Sequence, residues 1–261
     1  MDATIRYEAA DGIARIALAR PDKRNAMNAQ MFDELAEAAE RAALDESVRL
    51  VVVSGDGRSF CAGIDIAELA RLASLDRSEI RSFVEFAQRP FRTLALMTKP
   101  SIAAVQGHAV GAGFQLALAC DLRVVAPDAS FAMLEVGYGL IPDLGGAHRL
   151  ARAVGAARAK DLVWTGRSVD AGEALAIGLA NRLAPDDDLA GETDRLAQAI
   201  LAQAPVPQRL TKVLIDQAAE TPFEAELERE AEAQVTAVAS DDFREAVSAF
   251  GERRRPRFTG R

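Results

Sequence analysis

The chain has 261 residues, of which 49% are hydrophobic and 27% are charged, and its formal net charge at pH 7 is -8. This is an ordinary globular composition, and the chain is long enough to bury a substantial core. The negative balance argues against a protein that binds nucleic acid through its overall charge, so we expect no nucleic-acid partner.

Few residues suit redox or metal chemistry. The chain has two cysteines, Cys61 and Cys120, and its N-terminal Met-Asp-Ala-Thr lacks the pattern of a secretory signal. These two features favour a reducing, cytoplasmic setting. His108 and His148 lie far apart without partners at ligand spacing, so we expect no metal. The uncharged stretch 101–120 is interrupted by glycines and polar residues, so we expect no membrane span.

The first part of the chain predicts a hairpin, a helix and a buried strand. Apolar and polar residues alternate from Thr4 to Arg20 around Asp11-Gly12, a dipeptide favoured in tight hairpin turns. Asn28 can cap a helix that runs to about Ala43. The β-branched run from Val48 to Val53 predicts a strand buried on both faces.

Two strands are each followed by a glycine-rich bend. The first bend covers 55–63, and the second covers 107–113 after a predicted strand at 101–105. A buried helix is predicted from Ala112 onward. The N–H groups at the start of a helix lack partners and carry partial positive charge, so this terminus can hold a phosphate, a carboxylate or an oxyanion.

The rest of the chain alternates helices and strands and then becomes helical. The pattern predicts a helix at 77–97 with a break near Pro90, a strand at 122–125, and a long loop at 135–146 that holds two carboxylates. Three helices are predicted over 208–252. We therefore predict an α/β fold with a largely parallel sheet, in which residues 1–204 form the core and 205–261 a helical C-terminal region.

Four motifs occur in a fixed order: RPDKRNAMN at 20–28, SFCAGIDIAEL at 59–69, IAAVQGHAVGAG at 102–113 and GLIPDLGG at 139–146. Together they resemble the crotonase superfamily, the enoyl-CoA hydratase and isomerase family. The resemblance implies a spiral of strand-strand-helix turns, with a helical C-terminal region that mediates assembly into a homotrimer or a dimer of trimers. It also implies an acyl-CoA thioester substrate, with coenzyme A as part of the substrate and no separate cofactor.

The same resemblance assigns the residues around the substrate. It implies an oxyanion hole made of the backbone N–H groups of Ile64 and Ala112, where alanine replaces the more usual glycine. It further implies that substrate or coenzyme A contacts a set of residues from both ends of the chain: Lys23, Arg24, Ala26, Ala62, Asp65, Ile66, Gly111, Gln115, Phe250 and Arg253.

The acid-base residues depart from the hydratase pattern. Typical hydratases of the family carry one glutamate at the position of Gln115 and a second at that of Glu135, and only the second is present here. Asp143 falls where dienoyl-CoA isomerases and ring-opening epoxyphenylacetyl-CoA isomerases of the family carry an aspartate. A Glu135/Asp143 pair predicts proton shuttling and migration of a double bond. The alternatives are an enoyl-CoA hydratase that uses Glu135 alone and a catalytically silent acyl-CoA-binding homologue.

Each of these residues also has a structural interpretation. Asp143 can cap a helix that begins near Gly145, Glu135 can form a surface salt bridge, and Gln115 can be a satisfied buried amide. Cys61 is expected to pack rather than react, because no histidine or lysine adjoins it. A nucleotide-binding interpretation of the second glycine bend is weak, since Leu116 stands where the dinucleotide fingerprint has its third glycine.

Overall fold

The computed structural model describes residues 3–186 and 188–261, so the first two residues of the N-terminal segment considered above lie outside it. Its strands, in chain order, are β1 (Ile5–Ala10), β2 (Ile13–Leu18), β3 (Leu50–Gly55), β4 (Ser101–Val105), β5 (His108–Val110), β6 (Leu122–Val125), β7 (Ser130–Ala132), β8 (Val169–Asp170) and β9 (Arg182–Leu183). Its helices are α1 (Ala29–Leu44), α2 (Ile66–Leu72), α3 (Arg77–Leu96), α4 (Ala112–Ala119), α5 (Gly146–Val154), α6 (Ala156–Thr165), α7 (Ala171–Ala176), α8 (Leu189–Leu201), α9 (Pro205–Gln217), α10 (Phe223–Ala239) and α11 (Asp241–Gly251). Within this part of the chain, no helix combines the length and the apolar content that crossing a bilayer requires.

The predicted hairpin and first helix are confirmed. Strands β1 and β2 pair antiparallel with Ala10 opposite Ile13. Between them Asp11 and Gly12 have φ values of 50° and 80°, which is the left-handed geometry of a two-residue hairpin turn. The Asn28 side chain accepts a 3.0 Å hydrogen bond from the Met31 N–H and so caps α1, as expected.

The main sheet is largely parallel, as predicted. Its strand order is β1-β2-β3-β4-β6-β9, and every neighbouring pair beyond β1 and β2 is parallel. All five residues of β4 are buried, because strands flank it on both sides and helices cover the sheet.

A second, smaller sheet has the order β5-β7-β8 and makes the chain a spiral. After β4 the chain adds β5 to this sheet and then forms α4; after β6 it adds β7 and continues to α5. The turn that follows β3 contributes only a bridge between Cys61 and Ala109 before α2 begins. In each turn of the spiral, a glycine bend therefore lies between the two sheets, and the next helix begins there.

The predicted break in the third helix is wrong. Helix α3 runs without interruption through Pro90, which is buried inside it. Proline removes one hydrogen bond and strains the preceding turn. Packing holds the helix together here, since the Phe32 ring of α1 lies 6.2 Å from Phe83 and 6.3 Å from Phe91, one on each side of the proline.

The three C-terminal helices are present, and the first begins at Pro205 rather than at Gln208. Proline suits the first turn of a helix, where its missing N–H would have no partner. Helix α9 is bound to the sheet by an ion pair of 2.7 Å between Lys212 and Asp121. The division of the chain at 204/205 remains a prediction.

Candidate functional site

The two glycine bends are bound directly to each other. The Cys61 N–H donates to the His108 carbonyl and the Val110 N–H donates to the Cys61 carbonyl, each at 2.9 Å. A Cβ atom on Gly113 would lie 2.3 Å from the Cys61 carbonyl oxygen, so only glycine fits where α4 crosses the first bend. The backbone of both bends is therefore held in one position relative to the other.

This contact places Gly63, the residue before Ile64, close to Ala112. A Cβ atom on Gly63 would lie 3.7 Å from the Ala112 nitrogen. Neither the Ile64 N–H nor the Ala112 N–H donates a hydrogen bond within the described residues. Gly111, at φ 51°, takes the left-handed conformation, and Ala112 does not, so the alanine leaves its N–H available without backbone strain.

Glu135 lies beside this pair of amides. Its Oε1 would be 3.4 Å from a Cβ atom on Gly111, the residue that precedes Ala112. Glu135 begins a short 3-10 turn at 135–138 and forms no salt bridge in the described chain, so the surface ion-pair interpretation is not borne out. Its Oε1 accepts a 2.7 Å hydrogen bond from Gln115 Nε2, while its Oε2 is buried and has no partner among the described residues.

Gln115 is buried and forms hydrogen bonds through both ends of its amide. Besides its bond to Glu135, its Oε1 accepts from the Leu144 N–H at 2.9 Å and from the Gly146 N–H at 3.1 Å. Three of its four hydrogen-bonding positions are used, and the second N–H of Nε2 forms no hydrogen bond in the described chain.

Asp143 lies in the loop that Gln115 holds, and it is half-buried. Gly145, not Asp143, is the N-cap residue of α5, and no side chain caps that helix. Gln88 of α3 donates a 2.6 Å hydrogen bond to the Asp143 carbonyl. The backbone on both sides of Asp143 is therefore bonded, while its carboxylate forms no ion pair and no hydrogen bond with another side chain in the described chain.

Both carboxyl groups are perturbed in the same direction. Burial raises the pKa of Glu135, the Gln115 hydrogen bond opposes that rise, and the negative charge of Asp143 raises the pKa further. Burial also raises the pKa of Asp143. Raised carboxyl pKa values suit groups that exchange protons near neutral pH.

The first polar loop is attached to the first glycine bend. The Ala62 N–H donates to the Arg24 carbonyl at 2.9 Å, and the Met27 N–H donates to the Gly63 carbonyl at 2.7 Å. Lys23 and Arg24 are exposed there, and Ala26 and Ile64 are partly exposed. The structure thus gathers the predicted cations near the bends.

Asp65 and Ile66 follow the first bend and begin α2. The Asp65 carboxylate caps this helix through the Ala67 N–H at 3.1 Å, and that bond is the main reason why its pKa is lowered. It also forms a 3.0 Å ion pair with Arg20. Ile66 is 81% exposed, which leaves a large apolar side chain beside the site without an intrachain partner.

Two residues at the site were not singled out from the sequence. Asn25 is buried, and its Nδ2 donates to the carbonyls of Ser59 at 2.8 Å and Asp56 at 2.9 Å, which holds the polar loop to the bend. Its position inside the first motif was a usable signal. Gln88 had none, because it reaches a loop 55 residues away.

Phe250 and Arg253 are not brought to these residues. Phe250, at the end of α11, is 87% exposed, and Arg253 follows it in an exposed tail. No hydrogen bond, ion pair or ring contact in the described chain joins either one to the glycine bends.

The cysteines pack as expected. Cys61 is fully buried in the first bend, and burial raises the pKa of its thiol to about 12, so it remains protonated. Among residues 3–186 and 188–261 no cluster of three or more His, Cys, Asp or Glu side chains has the arrangement of a metal site.

A cavity of about 790 Å³ lies elsewhere, along β2, β3 and β4 beneath α8. Its lining includes Arg15, Ser54, Gln106 and Asp128 and none of the predicted site residues. The functional site is therefore defined by its free amides and perturbed carboxyl groups, not by concavity alone.

Residues 8–261 match the family model described as enoyl-CoA hydratase/isomerase. The chain belongs to the enoyl-CoA hydratase/isomerase family. It is 36% identical over 255 residues to the crotonyl-CoA hydratase of Syntrophomonas wolfei subsp. wolfei, with 97% of each chain covered. The family assignment makes this chain an acyl-CoA enzyme and confirms the resemblance drawn from its motifs.

Solved structures of family members confirm the spiral fold. The enoyl-CoA hydratase of Bacillus anthracis aligns with a TM-score of 0.92 at 30% identity, covering 99% of this chain and 100% of that one. A Thermobifida fusca YX protein solved in complex with acetoacetyl-CoA aligns with a TM-score of 0.85 at 36% identity, covering 91% of this chain and 95% of that one.

Proposed function

We propose that the chain is an isomerase that moves the double bond of an enoyl- or dienoyl-CoA. The observation that carries this proposal is a buried carboxyl group, Glu135, next to two unbonded backbone N–H groups and electrostatically coupled to a second perturbed carboxyl group, Asp143. In the proposed complex the thioester oxygen accepts hydrogen bonds from Ile64 and Ala112. The acyl chain then lies between the two carboxyl groups.

The proposed reaction needs only proton transfer. One carboxylate takes a proton from a carbon of the acyl chain, and the electron pair of that C–H bond forms the new carbon–carbon double bond of an enolate. The negative charge reaches the thioester oxygen, where two preorganised amides stabilise it. The other carboxyl group, protonated at the start, gives its proton to a carbon farther along the chain, so no oxidant or reductant is consumed. Proton exchange with solvent then returns both carboxyl groups to their starting states.

Gln115 favours isomerisation over hydration. Water addition by two carboxylates requires a second proton-exchanging group at this position, and an amide cannot serve as one. The Gln115 amide is also occupied by three bonds to Glu135 and the following loop. The second candidate, hydration by Glu135 alone, is favoured by one specific observation: the similar protein from Syntrophomonas wolfei subsp. wolfei is named a crotonyl-CoA hydratase.

The silent-homologue alternative is the least supported. Glu135 leaves one carboxyl oxygen buried without a partner in the described chain, and both carboxyl pKa values are raised. Such groups destabilise a fold and are rarely kept without a chemical role.

Coenzyme A binding is proposed along the first polar loop. Exposed Lys23 and Arg24 offer cations to the phosphates, and the backbone around Ala26, Ala62 and Gly111 would line the thioester arm. Phe250 and Arg253 would reach the adenine end only from a neighbouring subunit of a homotrimer or a dimer of trimers, since no hydrogen bond or ion pair in the described chain joins them to the site.

The test measures isomerisation of 3-enoyl-CoA and dienoyl-CoA substrates through the absorbance of the conjugated thioester. We expect Glu135→Gln and Asp143→Asn each to lower kcat by about 10²- to 10⁴-fold, because each removes a group that exchanges a proton. Affinity for acyl-CoA is expected to persist in both. Asp194→Asn is a matched control, since it removes one exposed carboxylate on α8 that pairs only with Arg15.

A hydration assay separates the two candidate reactions. With crotonyl-CoA as substrate, the isomerase proposal predicts that water addition is slow relative to isomerisation. Hydration at ordinary enzyme rates, about ten per second, together with full activity of Asp143→Asn, would replace the isomerase proposal by the hydratase one.

A further inference from the structure

Gln115 contacts both segments that carry the proposed catalytic carboxyl groups. Its carbonyl oxygen faces two N–H donors, those of Leu144 at 2.9 Å and Gly146 at 3.1 Å. The amide NH₂ group must therefore face the other way, toward Glu135 Oε1 at 2.7 Å. Gln115 is 1% exposed, so water does not compete for these bonds.

The direction of the bond to Glu135 decides which carboxyl oxygen can hold a proton. An amide NH₂ group only donates, so Glu135 Oε1 accepts this bond, and a carboxyl oxygen accepts better as the C=O oxygen than as the protonated hydroxyl oxygen. The other oxygen, Oε2, is buried and has no partner within the described chain. The Gln115 bond therefore favours Oε2 as the position of the Glu135 proton.

We propose that Gln115 is a positioning residue that directs the proton of Glu135 to Oε2 and, through the same amide, holds the segment that carries Asp143. The proposal deepens the isomerase assignment and rests on it for its catalytic meaning. Gln115 transfers no proton itself. It restricts Glu135 to one reactive oxygen and ties the position of the second carboxyl group to the first.

The side chains of Gln115 and Glu135 are tightly packed against the neighbouring backbone. A Cβ atom on Gly146 would lie 2.5 Å from Gln115 Cγ, so the loop after Asp143 lies directly against the glutamine side chain. Glu135 likewise lies against Gly111, where a Cβ atom would be 3.4 Å from Oε1. Gly146 lies against Gln115 and Gly111 lies against Glu135. Because neither glycine has a side chain, α4, the turn at Glu135 and the loop after Asp143 can approach one another closely.

Gln88 provides a matched control. It donates a 2.6 Å hydrogen bond to the Asp143 carbonyl, so it holds the same loop from the opposite side. It makes no hydrogen bond to Glu135. A purely structural role for Gln115 predicts that losing either glutamine has similar consequences, whereas the proposal predicts that only Gln115 affects the protonation of Glu135.

The experiment is an NMR titration of Glu135 in protein labelled with ¹³C at the glutamate carboxyl carbon, with the signal assigned from Glu135→Gln. We expect the pKa of Glu135 to rise in Gln115→Met, which loses the donor. It is expected to rise by about one unit or more in Gln115→Glu, which places a second carboxylate against Oε1. Gln88→Met is expected to leave this pKa where it is in the unmodified protein.

The pH profile of isomerisation supplies the functional readout. The limb that belongs to Glu135 is expected to move to higher pH in Gln115→Glu, with a fall in kcat and little change in KM. Equal Glu135 titration curves in the Gln115 variants and Gln88→Met would overturn the proposal. Retained isomerisation in Glu135→Gln and Asp143→Asn would instead overturn the proposed function, and the titration would still decide the role of Gln115. If Gln115→Met does not fold, the nearly isosteric Gln115→Glu carries the test.

Discussion

The segment around α4 and the C-terminal helices differ in how much of their apolar surface the chain buries. Every residue of α4 is buried, and the helix carries no charge. In α9 to α11, by contrast, large apolar side chains face outward, among them Val235 at 65%, Val247 at 57% and Phe250 at 87% exposure. The single chain completes the packing of the first region and leaves apolar side chains exposed in the second, which fits the proposed trimerisation region.

The same substitution in the two regions gives the sharpest comparison. Gly113→Ala puts a methyl group 2.3 Å from the Cys61 carbonyl oxygen, so we expect a loss of about 1–3 kcal/mol or more in the free energy of unfolding. Gly251→Ala at the end of α11 meets no atom within 4 Å, and we expect a gain of about 0.4–1 kcal/mol. Urea unfolding at matched protein concentration measures both. A neutral Gly113→Ala would mean that the bends are not rigidly joined.

The exposed apolar side chains of the C-terminal helices predict that a charge placed among them weakens the proposed assembly. Val235→Asp places a charge on the exposed apolar side of α10, and we expect the assembly to dissociate at least about tenfold more readily, or about 1.4 kcal/mol. Leu44→Asp, at the end of α1 and 83% exposed, is the control and should leave the assembly intact. Sedimentation velocity distinguishes them. Wild-type protein that sediments as a monomer at all concentrations would contradict the trimer.

The two regions also predict opposite responses to removal of a carboxylate. The pKa of Glu135 is raised by burial, so its contribution to stability is fully present below its unfolded pKa and is lost as pH rises through the folded value. The pKa of Glu245 is lowered to about 2 by hydrogen bonds from Arg254 and the Arg257 N–H, so its contribution is present above its unfolded pKa and is lost as pH falls toward 2.

At neutral pH we therefore expect Glu135→Gln to raise the melting temperature and Glu245→Gln to lower it slightly. Both differences should shrink on acidification. The first shrinks as pH falls through the raised pKa of Glu135 and is gone below about the ordinary glutamate pKa of 4.3. The second shrinks between about 4.3 and about 2. Glu232→Gln on α10 controls for the change in net charge. Thermal melts across the pH range measure the effect, and differences of the same sign for the two variants would show that burial at Glu135 is not the cause.

Local signals in the sequence predicted much of the fold correctly. The Asp11-Gly12 turn and the Asn28 cap depend on backbone preferences of a few residues, and both occur as predicted. The interruption at Pro90 was wrong because the aromatic packing of Phe32 between Phe83 and Phe91 outweighs a local preference. The two- and three-residue strands β5, β8 and β9 were not predicted, since their pairing depends on distant partners.

The sequence alone indicated the family, the order of the longer strands and helices up to residue 125, and the positions of Ile64, Ala112, Glu135 and Asp143 on two glycine bends and one loop. These follow from backbone conformation, and glycine, asparagine and proline encode it locally. Only the tertiary structure decided that Gln115 donates to Glu135 and accepts from the Asp143 loop, which leaves one oxygen of Glu135 buried and unpaired. The direction and burial of a side chain depend on residues far away in the chain, and no local pattern encodes them.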